Sequence, residues 1–184
     1  MKKYISTALS LVLVLPLALM AQQFSAKESK ISFFSEAPLE NIEAVSTNAS
    51  RSILDVGKGQ IAVSMPIKSF VFPNSLMQEH FNESYLESDK FPTSTFAGTI
   101  VEPIRLKTGE RLMYTVRGKL TLHGVTREME TKAILQLNAD GTYTGTSKLR
   151  VKLADYNIKI PSIVVKNIAE EIDVNILIVY QPTK

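Results

Sequence analysis

Arg111-Leu112-Met113-Tyr114-Thr115-Val116-Arg117-Gly118-Lys119-Leu120-Thr121-Leu122-His123-Gly124-Val125 is the stretch on which the fold turns. Leu112, Tyr114, Val116, Leu120 and Leu122 fall on one parity; Arg111, Thr115, Arg117, Lys119, Thr121 and His123 fall on the other. Side chains on a strand alternate between faces, so this is a strand with one apolar and one charged face. Gly124 permits a sharp reversal. Met129, Thr131, Ala133, Leu135 and Leu137 then alternate with Glu128, Glu130, Lys132 and Gln136, which makes residues 111–137 a hairpin. Gly118 lies mid-strand on the apolar face, where glycine is unfavourable unless the backbone bends or something approaches closely.

The same alternation extends outward in both directions. After an Asp140-Gly141 turn, Tyr143, Gly145, Ser147, Leu149, Val151 and Leu153 face one way and Thr144, Thr146, Lys148, Arg150 and Lys152 the other. Residues 161–168 read as a loop, and Ile172, Val174, Ile176, Ile178 and Tyr180 as a last strand. Toward the N-terminus, residues 25–36 form a first strand, and residues 42–55 read as helix or strand. Ile61, Val63, Met65 and Ile67 alternate cleanly. Phe70 and Phe72 take the opposite parity, which implies a bulge near Lys68 and Ser69. Ser75 and Gln78 have capping-box spacing, and Met77, Phe81 and Tyr85 recur at helical spacing, so residues 75–86 read as one short amphipathic helix. Phe96, Gly98 and Ile100 share a parity on the strand that follows Phe91-Pro92.

The chain has 184 residues, enough for one domain with a sizeable core. Lys2, Lys3, the apolar stretch 5–20 and Ala21-Gln22 form the pattern of a secretory signal peptide over residues 1–21, which leaves residues 22–184 as a single domain. Removing Lys2 and Lys3 takes the basic count from 21 to 19 against 18 acids, a net charge of +1. That balance is no nucleic-acid footprint. The sequence contains no cysteine, so disulfides, thiolate metal sites and a lipid-modified cysteine are excluded.

Many short strands and one helix imply an all-β, antiparallel sheet that covers its apolar face by closing on itself. A barrel of about eight strands has room for one small ligand. An outer-membrane barrel would turn its apolar face to lipid, but here the other face carries Arg117, Lys119, Lys148, Arg150 and Lys152 and belongs in water. The apolar face therefore points inward.

Two long motifs then carry a resemblance. They are His80-Phe81-Asn82-Glu83-Ser84-Tyr85-Leu86-Glu87-Ser88-Asp89-Lys90-Phe91-Pro92-Thr93-Ser94-Thr95-Phe96 and Gly118-Lys119-Leu120-Thr121-Leu122-His123-Gly124-Val125-Thr126-Arg127, joined by Asp155-Tyr156-Asn157-Ile158-Lys159-Ile160-Pro161. With them the chain resembles the YceI-like family over nearly all of residues 22–184. In the N-terminal third, Ile31-Ser32-Phe33 fits, whereas Ala44-Val45-Ser46-Thr47-Asn48 replaces the family's Gly-x-Phe strand. The resemblance implies a lipocalin-like barrel, exported to the periplasm or secreted, that holds a polyisoprenoid or similar long apolar lipid for carriage or storage. No cofactor, metal or nucleic acid is expected, and the oligomeric state is left open.

The expected lumen and mouth residues are Phe70, Phe72, Met77, Phe81, Phe91, Phe96, Gly98, Leu112, Tyr114, Val116, Gly118, Leu120, Tyr143 and Gly145. Each has a plainer reading. Gly98, Gly118 and Gly145 either open a channel or let strands coil. The stripe Met77, Phe81, Tyr85 is either a lid or core packing. The basic stripe either touches an anionic membrane transiently or is a solvated face. His80 and His123 fit a helix surface and a turn rather than a metal site. Catalysis needs an acid–base pair inside the lumen, and no inward parity supplies one; the alternatives to a carrier are a stress-related interaction module with a packed barrel and, behind it, an enzyme.

Overall fold

The computed structural model describes residues 23–37, 39, 41–160 and 168–183. The expected signal peptide and most of the 161–168 loop lie outside them. Nine strands run through the described residues: β1 (Gln23–Glu36), β2 (Asn41–Thr47), β3 (Arg51–Asp55), β4 (Gln60–Pro66), β5 (Thr93–Ile100), β6 (Arg111–Leu122), β7 (Val125–Leu137), β8 (Tyr143–Lys152) and β9 (Glu171–Pro182). Every pairing is antiparallel, from β3 in order to β9. The long β1 closes the ring by pairing with β9 along one edge and with β3 at its start. Its far half takes β2 instead, so eight strands form the closed barrel and β2 is an extra strand at one end. The register of β1 on β9 shifts between Ala26 and Glu28, a bulge that bends the strand through the closure.

The central hairpin forms as the parity requires. Arg111 pairs with Gln136 and Leu122 with Val125, and His123 and Gly124 turn the chain at φ of 50° and 73°. The ambiguous residues 42–55 are two strands, β2 and β3.

Two local expectations change. No bulge carries β4 past Lys68: the strand ends at Pro66, and residues Ile67–Ser69 make a 3-10 turn. The Ser69 hydroxyl donates to the Pro66 carbonyl and so holds that turn. The parity of Phe70 and Phe72 therefore reflects a chain that has left β4 and bridges to β2 instead, through Val71 and Val45.

The helix also differs. α1 (Ser75–His80) is α-helical, and residues Phe81–Tyr85 widen into a π-turn. Its cap is Asn74, whose Oδ1 accepts from the Leu76 and Met77 amides. Gln78 instead accepts from the Phe72 amide, which ties α1 to the chain before it. No capping box forms: Asn74 rather than Ser75 is the cap, and the residue three on from it is Met77.

One barrel end is filled by Leu54, Val56, Tyr114, Leu135, Tyr143, Ile178 and Tyr180. At the other end α1 and the π-turn meet Phe33, Phe70 and Phe72.

Candidate functional site

The inward faces of the strands enclose a cavity of about 220 Å³. Its walls are aliphatic and aromatic: Ile61, Val63 and Met65 from β4, Val116, Leu120 and Leu122 from β6, and Val174, Ile176 and Ile178 from β9. Tyr114 and Tyr180 are the only ionisable residues on that lining among the described residues, and burial pushes the Tyr180 hydroxyl up to about 12. Ser52 gives its proton to the Ala62 carbonyl, so Tyr180 donates to Ser52, 2.8 Å away. The Tyr114 hydroxyl is buried and has no hydrogen-bond partner among the described residues. Such a lining removes apolar chains from water and offers no group that stays charged at neutral pH.

A second cavity of about 190 Å³ lies under α1, lined by Ile42, Phe72, Met77, His80 and Tyr85 among others. The two share Phe33, Phe81, Leu86, Leu153, Ile158 and Ile172. Phe81 stacks on Phe33 with ring centroids 5.4 Å apart and stands against Phe72 at 4.9 Å. The inner chamber thus adjoins an outer vestibule, with Phe81 between them. No residue of α1 or of the π-turn is buried, so this segment is lightly seated on the barrel end.

Residues 23–180 match the YceI-like domain. The chain belongs to the YceI-like family. Solved structures agree on the fold. A polyisoprenoid-binding domain from Saccharophagus degradans, implicated in plant cell wall breakdown, aligns with a TM-score of 0.72 at 16% identity, over 87% of this chain and 98% of that one. BcnA of Burkholderia cenocepacia gives 0.69 at 20% identity, over 82% and 95%. The YceI protein of Campylobacter jejuni gives 0.55 at 18%, over 100% and 99%. No curated protein matches the sequence.

Within this YceI-like barrel the expected residues separate into three groups. Phe70, Phe81, Phe96, Tyr114, Val116, Leu120 and Gly145 line the chamber. Phe72 and Met77 line the vestibule with Phe81.

The remaining five do not reach either space. Leu112 is 46% exposed, because it starts β6 beyond the filled end. Tyr143 is packed edge-on against Phe24 in that filled end. Phe91 supports the hairpin turn, 4.6 Å from the His123 ring. Gly98 and Gly118 face each other across β5 and β6, and the Phe96 ring covers both. Sequence parity finds the inward face but not the height along the barrel, which is why the end residues were misread.

Three residues outside the expected site also matter. Phe33 from β1, Leu153, which the β8 parity already turns inward, and Ile158 beyond it sit where the chamber meets the vestibule. Of the basic stripe, Arg117 pairs with Glu130, and Lys148 and Arg150 converge on Asp173. His123 is nearly enclosed: Nδ1 lies 3.0 Å from the Tyr156 carbonyl and Nε2 2.8 Å from Glu87. A carbonyl only accepts, so Nδ1 carries a proton and donates. The two hydrogen bonds tie the hairpin turn to the segment after the π-turn and to the turn after β8.

Proposed function

We propose that this protein is an exported lipid-binding barrel that encloses an isoprenoid or similar elongated apolar lipid for carriage or storage. The observation that carries the reading is a chamber inside a closed barrel whose lining, among the described residues, holds no Asp, Glu, His, Lys or Arg. A solvated barrel has little other use for so much unfilled apolar surface. Each buried methylene is worth about 0.8 kcal/mol, so one five-carbon unit gains about 4 kcal/mol before ordering costs. No ionic anchor is needed. The polyisoprenoid-binding domain among the structural neighbours supports the same ligand class. Export is supported by the basic and apolar N-terminal sequence pattern ending at Ala21-Gln22.

Catalysis is disfavoured because general acid–base chemistry needs titratable groups at the substrate, and among the described residues the chamber offers only two tyrosines. The test is extraction. Protein purified from its own host without detergent is extracted with organic solvent, and the extract is weighed against protein by mass spectrometry. About one equivalent of an apolar lipid is expected. An empty extract, together with added isoprenoids that neither bind nor raise the melting temperature, would overturn the reading.

A further inference from the structure

Strands β7 and β8 pair over only part of their length. Their ladder runs from Leu137–Tyr143 to Ala133–Ser147 and stops. The ladders on either side continue: β6 stays paired with β7 to Leu122–Val125, and β8 with β9 to Lys152–Glu171. Residues 128–132 and 148–152 thus face each other with no ladder between them, over about 15 Å at the usual rise of a strand. The charges account for the parting. Continuing the register would set Lys132 opposite Lys148, and like charges directly opposite weaken a pairing. It would also set Glu130 opposite Arg150, but Glu130 pairs with Arg117 on β6 and Arg150 with Asp173 on β9. Among the described residues no ion pair crosses the seam. Hydroxyls mark one end of it: Ser147 donates to the Lys132 carbonyl at 2.8 Å, and Thr131 to the Lys148 carbonyl at 3.3 Å. At the other end Arg127 Nε donates to the Asp155 carbonyl at 3.0 Å.

The chamber lies directly behind this seam. Met129 and Thr131 on one margin and Leu149 and Val151 on the other line it. Ile134 and Thr146 pair with each other on the outward parity near the ladder's end, yet they line the chamber as well. The lining therefore runs through the wall at this height. Backbone N–H and C=O groups without a ladder must meet water or a hydroxyl, so the wall is breached here and not merely thin. We propose that the seam between β7 and β8 is a lateral gate, through which an isoprenoid chain slips sideways into and out of the chamber. The inference rests on the lumen being the lipid site. Spreading the margins disturbs two hydroxyl contacts, whereas parting a fully paired seam would break a run of backbone hydrogen bonds. A chain that enters sideways need not thread its whole length end-on beneath α1.

Tethering the margins tests the gate. The chain has no cysteine, so Glu130→Cys with Arg150→Cys places the only two thiols on the outer face at mid-seam, where a short bis-maleimide joins them after folding. Uptake of geranylgeraniol is followed in stopped flow by tyrosine fluorescence, since there is no tryptophan and Tyr114 and Tyr180 line the chamber. Release is followed by transfer to phosphatidylcholine vesicles. The tether is expected to slow both rates at least tenfold while the equilibrium affinity stays within about twofold. The same tether between Lys119→Cys and Glu128→Cys, across the paired seam of β6 and β7, should leave the rates unchanged. A second variant works in the opposite sense: Thr131→Val with Ser147→Ala removes the hydroxyl contacts and should speed release. Parental rates in the tethered protein, or equal slowing by the control tether, overturns the gate and leaves the lumen reading intact. A wild-type protein that does not bind geranylgeraniol overturns the lumen reading and this inference with it.

Discussion

Gly98, Gly118 and Gly145 share the inward parity, yet a Cβ added to each meets different surroundings. On Gly98 it would lie 2.5 Å from the Arg117 carbonyl, and on Gly118 it would run into the Ala97 carbonyl and Gly98 Cα. Backbone atoms cannot swing aside, so strands β5 and β6 approach here only because both residues are glycine. On Gly145 the nearest atom is Cε2 of Tyr180 at 3.4 Å, an ordinary contact. Gly118→Ala is therefore expected to cost about 1–3 kcal/mol in urea unfolding. Gly145→Ala should stay within about 0.5 kcal/mol of the parent. Gly145→Leu should lower lipid affinity at least tenfold while the ligand-free protein unfolds near the parental midpoint. Equal losses of stability at positions 118 and 145 would contradict this division. The sequence placed all three glycines on one face because parity reads direction. It left their roles undecided because the deciding atoms belong to Phe96 and to a neighbouring strand.

At the level of elements, strands were legible and the transitions between them were not. Alternation over β6 to β9 is unbroken, and each apolar residue there had one face to take. Residues 42–55 were ambiguous because β2 and β3 are short and joined through Asn48, whose φ of 55° lets the chain turn without glycine or proline. The helix was legible as an amphipathic stripe, but its π-turn was not, since widening by one residue preserves most of the spacing. That turn places Phe81 between chamber and vestibule. Two expectations belong to this element. Asn74→Ala should cost about 1 kcal/mol of local stability, read as faster amide exchange in residues 75–80, whereas Ser75→Ala should leave exchange unchanged. Phe81→Ala should speed both uptake and release of a bound isoprenoid in stopped-flow displacement. If release stays at the parental rate, ligand does not pass this segment and the lightly seated helix is not a lid.

Among the described residues most charges lie outside, with Asp55 buried as an exception, and the barrel's inward faces are apolar; both sides of that division have consequences. Glu87 is held below the ordinary glutamate value of 4.5 by its hydrogen bond from His123, and Glu102 by the amide and hydroxyl of Thr115. Asp140 is held below the ordinary aspartate value of 3.8 by Thr142, and Asp173 by Lys148 and Arg150. A carboxyl whose folded pKa is depressed stabilises the fold above its unfolded value and stops doing so as pH falls through the folded one. The melting temperature should thus hold from neutrality down to the ordinary carboxylate range and fall below it. Burial acts oppositely on Tyr180, raised from 10.0 to about 12, so stability should also decline as pH climbs between those values. A melting temperature unchanged through either window would show that these contacts are not maintained in solution. Inside, the chamber of about 220 Å³ and the vestibule of about 190 Å³ set how much of a ligand can be covered. A cavity of about 150 Å³ holds one six-carbon ring, so the two spaces together cover about three five-carbon units. Each covered unit contributes up to about 4 kcal/mol, reduced by the cost of ordering it, and a unit left in water contributes nothing. Affinity should therefore climb steeply from geraniol to farnesol and flatten from geranylgeraniol onward. Competition titrations of the series give the curve directly. A constant gain per unit out to eight units would mean that the barrel widens around its ligand, with the seam between β7 and β8 as the place to look: there the ladder runs only from Ala133–Ser147 to Leu137–Tyr143, while both strands continue well past it.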